Sequence, residues 1–178
     1  MVNNTSEQYQ DALVNQERYS HGYDSKYVEY LAGRTSSREA AFLTPYLQPG
    51  MSLLDCGCGP GTITIGLAKL VAPGQVVGID IAENQIALAR EVAYAQGVSN
   101  VKFEVGNINE LPFPDRSFDS VFAHTVLQHL ANPVRALKEI HRILKASGLD
   151  RRGNRGDDGR RLEGVGRASR CFSGCCLV

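Results

Sequence analysis

The feature that most constrains this chain is a glycine-rich turn, Asp55-Cys56-Gly57-Cys58-Gly59-Pro60-Gly61. Before it, Met51-Ser52-Leu53-Leu54-Asp55 is a short, mostly apolar run of the kind that forms a buried parallel strand. After it, Thr62 to Val71 reads as a helix, stopped by Pro73-Gly74. Strand, glycine turn and helix in that order build the ligand-binding corner of open α/β sheets, where ligands sit beyond the carboxyl ends of the strands. Glycine lets the backbone turn tightly there and approach a ligand, because no Cβ stands in the way.

The rest of the chain repeats this layout. Val76-Val77-Gly78-Ile79-Asp80 is a second buried strand. Ala82 to Gln96 is helical, with Ile86, Ala89 and Ala93 on one face and Gly97 past its end. Val101 to Val105 and Phe118 to Ala123 read as the third and fourth strands. Asn132-Pro133 opens a last helix, with Val134, Leu137, Ile140 and Leu144 on one stripe. Upstream, Ser36-Ser37-Arg38-Glu39 reads as a capping box, opening a helix that runs on to Leu47. The order β-α-β-α-β-β-α with short connections predicts an α/β fold with a doubly wound, Rossmann-like, mostly parallel sheet.

Three regions follow from this reading. Residues 1–34 are a polar segment and a tyrosine-bearing helix (Tyr19, Tyr23, Tyr27, Tyr30), expected as a lid over the ligand. Residues 35–148 are the binding domain. Residues 149–178 are an Arg/Gly-rich tail of disordered character, mildly apolar only from Cys171 to Val178. Acidic residues interrupt the arginines and no aromatics interleave with them, which argues against nucleic-acid binding. Nineteen basic residues balance nineteen acidic ones, so no bulk charge favours a polyanion. No stretch reads as a membrane span or a signal peptide, and the expected compartment is the cytoplasm. The five cysteines match no zinc spacing, so no metal is expected.

The glycine spacing discriminates between ligands. Dinucleotide folds use G-x-G-x-x-G to place a pyrophosphate on the helix end. Here Gly57, Gly59 and Gly61 give G-x-G-x-G, and Thr62 stands where the dinucleotide pattern needs glycine. Asp55 at the head of the loop would repel a pyrophosphate, but suits a ligand with an ammonium group and a sulfonium centre. A nicotinamide-dependent dehydrogenase is therefore disfavoured. Asp80, about 20 residues beyond the glycines, suits ribose hydroxyls. After the third strand, Asn107 suits the edge of a purine and Ile108 its face. At the end of the fourth strand stand His124, Thr125, Gln128 and His129. His124 is the candidate general base; His129 reads rather as part of a short helix, and His141 as surface.

Taken together these motifs resemble the class I S-adenosylmethionine-dependent methyltransferases. The likeness is to the small-molecule group around the ubiquinone and menaquinone biosynthesis enzymes. It rests on Leu53 to Thr62, Val77 to Ile81, Gly106-Asn107-Ile108 with Leu111-Pro112-Phe113-Pro114, Ser117 to Val121, and Val126 to Leu130. The resemblance implies S-adenosyl-L-methionine as cofactor and a small-molecule methyl acceptor. It implies a cofactor site of Asp55, Gly57, Cys58, Gly59, Gly61, Thr62, Asp80, Ile81, Asn107, Ile108 and His124. Asn107 departs from the family's usual acid. A larger departure follows Lys145, where the family continues into three further strands and this chain reads Ala146-Ser147-Gly148 and then the tail. On that basis the sheet is expected to be incomplete after its fourth strand. The fourth strand becomes an exposed edge open to self-association, and a truncated, inactive cofactor-binding module is the alternative function.

Overall fold

A computed structural model describes residue 31, residues 33–145 and the strand Cys175–Leu177. The tyrosine segment 19–30, and most of the tail, lie outside these residues. Among the described residues, five strands form one sheet in the order β3-β2-β1-β4-β5. They are β1 (Leu53–Cys56), β2 (Val76–Asp80), β3 (Val101–Val105), β4 (Ser120–His124) and β5 (Cys175–Leu177). Within residues 33–145 the α-helices are a single turn α1 (Ser36–Glu39), then α2 (Thr62–Val71), α3 (Glu83–Ala95) and α4 (Pro133–Ile143). No helix among the described residues is long and apolar enough to cross a membrane.

β1 lies between β2 and β4, parallel to both, and β3 extends the parallel set from β2. Its central place explains its composition: all four residues of Leu53–Cys56 are buried. Successive strand side chains point to opposite faces, and the core divides accordingly. Leu54, Cys56, Ile79, Val121 and Ala123 pack with Ala136, Ile140 and Ile143 of α4. Leu53, Val76 and Phe122 pack instead with Ile63, Leu67, Ala68 and Val71 of α2. Helices thus cover both faces, which is the expected doubly wound arrangement. Gly78, paired with Phe103 in the adjacent strand, leaves room for that ring: a Cβ there would come within 2.7 Å of it.

Three expectations need correction. The fourth strand is not an open edge, because β5 pairs antiparallel with it, Phe122 against Leu177 and His124 against Cys175. The short apolar stretch at the end of the tail thus satisfies backbone groups that would otherwise template association. The helix opened near Ser36 stops after one turn, and Thr44–Tyr46 is a separate 3-10 turn with Pro45 in it. Proline lacks the N–H and crowds the preceding turn, which breaks the helix. Its N-cap is Thr35, whose N–H donates to Glu39 Oε2 at 2.9 Å. In α4 the buried stripe is Ala136, Ile140 and Ile143, and Val134 is exposed. The start of that helix is as expected, with Asn132 Oδ1 accepting from Arg135 N at 3.1 Å.

Candidate functional site

At the carboxyl ends of β1, β2 and β4, and beside the loop after β3, lies a solvent-open cleft. It sits where the strand order reverses around β1, the usual ligand position in such sheets. Ten of the eleven expected cofactor residues line it: Asp55, Gly57, Cys58, Gly59, Thr62, Asp80, Ile81, Asn107, Ile108 and His124. Gly61 does not.

The three loop glycines have positive φ, +73° at Gly57, +52° at Gly59 and +78° at Gly61, but they face different surroundings. A Cβ on Gly57 would strike Val126, and one on Gly61 would meet Ala89 and the Phe103 ring within 2.8 Å. At Gly59 the nearest atoms are 3.9 Å away. Gly57 and Gly61 therefore permit close packing of the loop against its own fold, and only Gly59 leaves a gap on the cleft side.

The loop's N–H groups are already engaged. Gly57 N and Cys58 N donate to Ile79 O, Gly61 N to Cys58 O, and Gly59 N to Asp80 Oδ2 at 2.9 Å. A pyrophosphate site needs such donors pointing at the ligand. Here they are spent inside the protein, and two carboxyl groups stand beside them. The arrangement suits a ligand that is cationic or neutral near the loop.

Asp55 is 2% exposed, and its Oδ2 accepts from Thr64 Oγ1 at 2.6 Å. Burial raises its pKa to about 7; the Thr64 hydrogen bond opposes this and the nearby Asp80 adds to it. Near neutral pH it is therefore poised between charged and neutral, and a nearby cation would favour the charged form. Asp80 also accepts from Ala82 N through Oδ1 at 3.0 Å, so it joins the glycine loop to the start of α3. Burial, and then Asp55, push the thiols of Cys56 and Cys58 well above their ordinary pKa, so neither is a ready thiolate.

Asn107 Oδ1 accepts from Asn109 N at 2.9 Å. A backbone N–H only donates, so this fixes the amide's orientation and leaves Nδ2 as the group for a ligand. Ile108 is 5% exposed and Ile81 45% exposed, so the two supply apolar surface on that side of the cleft. Thr62 Oγ1 donates to Leu31 O at 3.3 Å and ties the preceding segment across the cleft.

At the other end, Arg34 Nη1 lies 3.5 Å from His124 Nδ1 and 3.4 Å from Thr125 Oγ1. A guanidinium only donates, so in this arrangement Nδ1 is the acceptor and Nε2 bears the proton. The ring stacks on Phe122 at 6.1 Å between centroids. Burial, then Arg34, hold the His124 pKa below its ordinary value, so the imidazole is neutral at pH 7. Thr125 has φ +57°, rare for a β-branched residue, at the point where the chain leaves β4. Sequence reasoning did not assign Arg34 to the cleft, because no motif contains it. His129, read as part of a short helix, lies in a 3-10 turn (Leu127–His129) and also lines the cleft.

The residues present fit an adenosine-type cofactor with a cationic centre: an open cradle at Gly59, a carboxyl at Asp80, a free amide donor at Asn107 and apolar walls at Ile81 and Ile108. Comparisons with known proteins give the family. The sequence profile described as "Methyltransferase domain" matches residues 47–149. The chain belongs to that family, with the class I S-adenosylmethionine-dependent methyltransferase fold. A protein of Aspergillus luteorubrus named "Probable methyltransferase ltbC" is 41% identical over 140 residues, covering 74% of this chain and 49% of that protein. The demethylmenaquinone methyltransferase of Geobacillus stearothermophilus is 40% identical over 104 residues, 58% of this chain and 44% of the enzyme. A solved structure of a SAM-dependent methyltransferase from Aquifex aeolicus superposes with TM-score 0.63 at 28% identity, covering 70% of this chain and 69% of that one. The chain spans about half the length of the first two relatives.

Proposed function

We propose that this chain binds S-adenosyl-L-methionine in the cleft and serves methyl transfer to a small-molecule acceptor. The observation that carries the reading is the pairing of an open Gly59 cradle with Asp80 on the neighbouring strand. Asp80 would hold the ribose hydroxyls while keeping the loop in place through Gly59 N. Asn107 Nδ2 would donate to a purine ring nitrogen, and Ile81 and Ile108 would cover the ring faces. Asp55 and the loop carbonyls would face the amino-acid end. Bound there, the cofactor supplies an activated methyl group on a sulfonium sulfur, open to direct displacement by a nucleophile. The protein's contribution is alignment, which is worth roughly 7–11 kcal/mol in favourable cases. His124 is the candidate base, and it would act as one only when Arg34 releases Nδ1.

A second reading, a cofactor-binding module without turnover, is favoured by the position of Arg34, which leaves the His124 imidazole a donor rather than a base. Two measurements separate these readings. Ultraviolet cross-linking with methyl-tritiated S-adenosylmethionine, followed by peptide mapping, should label cleft peptides and be competed by S-adenosylhomocysteine but not by NAD. Labelling elsewhere, or competition by NAD, would sink the cofactor assignment. Release of label into a small-metabolite extract favours the enzyme, and labelling without release favours the module.

A further inference from the structure

Thr64 is fully buried in the first turn of α2. The other buried residues of that helix, Ile63, Ile65, Leu67, Ala68 and Val71, are apolar. A helical threonine commonly bonds a carbonyl one turn back along its own helix. Here Oγ1 reaches out of the helix instead and donates to Asp55 Oδ2 in β1, at 2.6 Å. Valine has nearly the same shape and would spare the helix a buried hydroxyl, so packing alone gives no reason for threonine.

The group it holds is the carboxyl at the head of the glycine loop. Asp55 is paired with Gly78 in β2 and with Phe122 in β4, and neither has a side chain that could bind a carboxylate. Asp80, at the end of β2, and the thiols of Cys56 and Cys58 act on Asp55 or feel it through charge, and each is negative when ionised. Arg34, His124 and His129 line the same cleft. Among the described residues, Thr64 is the one hydrogen-bond donor to Asp55, and it takes Oδ2 only. One carboxyl oxygen is thus fixed inside the protein, while the residue itself lines the cleft. A donated hydrogen bond favours the carboxylate over the neutral acid, against the burial that disfavours charge there.

We propose that Thr64 is a positioning residue for the cofactor: from within α2 its hydroxyl holds Asp55 Oδ2, keeping the carboxyl charged and leaving Oδ1 to the cationic amino-acid end of the ligand. The proposal rests on the cofactor and the place of Asp55 assigned under Proposed function, and adds a residue behind the cleft wall. Thr64 does not line the cleft. It acts through the charge of Asp55, so its effect depends on pH. Binding strengthens as pH rises through the Asp55 titration, and loss of the hydroxyl moves that rise to higher pH. A ligand without the ammonium does not sense position 64.

The test is calorimetric titration of the full chain with two ligands at two pH values. S-adenosylhomocysteine carries the ammonium; 5′-methylthioadenosine keeps the adenosine and thioether but lacks the amino-acid end. Thr64→Val removes the hydroxyl, and a hydrogen bond to a charged group corresponds to a displacement of about one pH unit or more. Asp55 titrates at about 7 in wild type. S-adenosylhomocysteine should therefore bind Thr64→Val about fivefold more weakly than wild type at about pH 7, with the gap closing to within about twofold at about pH 8.5. 5′-Methylthioadenosine should bind both proteins alike at either pH. Thr64→Ser keeps the hydroxyl and should restore the wild-type profile. Thr64→Ala takes the place of Thr64→Val if that variant does not fold, with the same pH-dependent loss expected. Equal loss of both ligands, or a loss of S-adenosylhomocysteine that is the same at both pH values, would show a structural role and overturn the proposal. No loss, or a loss that Thr64→Ser does not reverse, would overturn it too. Wild-type protein that binds neither ligand would overturn the cofactor reading itself, whereas wild-type binding with an unshifted Thr64→Val profile removes Thr64 alone.

Discussion

Replacing Gly61 by alanine separates the packing glycine of the loop from its ligand-facing one. At φ +78°, an alanine is held in the left-handed region at a cost of about 1–2 kcal/mol. Its methyl would lie 2.8 Å from Ala89 Cβ and 2.8 and 2.9 Å from two Phe103 ring carbons, so α2 must move away from α3 and β3. Overpacking of that kind costs about 1–3 kcal/mol. The sum is roughly 2–5 kcal/mol, a fall in Tm of roughly 4–20 °C for a chain of this size. Gly59→Ala at φ +52°, with nothing closer than 3.9 Å, carries only the conformational cost of about 1–2 kcal/mol. Its methyl would occupy the cradle instead, so it should weaken S-adenosylhomocysteine binding out of proportion to its effect on stability. Urea unfolding followed by circular dichroism, paired with ligand titration of the folded samples, reads both quantities. The reasoning fails if Gly59→Ala unfolds as early as Gly61→Ala, or if Gly61→Ala matches wild type within about 0.5 kcal/mol, the usual range for neutral surface changes.

Other consequences follow from named contacts. The pKa of Asp55 is raised from 3.8 to about 7; its contribution to stability is greatest below 3.8 and is lost as pH rises toward 7. Wild type should therefore lose stability relative to Asp55→Asn between about pH 4 and 7, and a flat difference across that range would contradict the burial argument. A bound cation would lower that pKa, so S-adenosylhomocysteine binding near pH 7 should release protons, seen as a dependence of binding enthalpy on buffer ionisation. Asp119 is the opposite case. Burial would raise its pKa, but hydrogen bonds from Ser52 and Lys145 prevail and lower it. Asp119→Asn should be less stable at neutral pH, with the deficit narrowing as pH falls through the low carboxylate range. Deleting residues 175–178 uncovers the backbone of Phe122 to His124; sedimentation velocity should show concentration-dependent association that the full chain lacks.

How much of this was legible in the sequence depends on how local each cause was. α2 and the strand pair β2 and β3 fall within the expected boundaries, because glycine, proline and apolar runs mark them directly. Ten site residues line one cleft because the strand ends that carry them lie side by side in a parallel sheet. Gly61 looked like its neighbours in the motif, but its surroundings come from Ala89 and Phe103, far along the chain. Arg34 belongs to no motif and reaches the cleft only through contact with the end of β4. Pro45 is a readable signal against a long first helix. The pairing of β5 with β4 joins residues about fifty positions apart, beyond the reach of periodicity.

The central claim is that the cleft between Asp55, Gly59 and Asp80 holds an adenosyl sulfur cofactor rather than a dinucleotide. Isothermal titration of the purified, folded chain with S-adenosylhomocysteine and separately with NADH tests it most directly. Saturable binding of S-adenosylhomocysteine with no heat from NADH is the predicted result. A folded sample that gives no heat with S-adenosylhomocysteine, or that binds NADH instead, would contradict it.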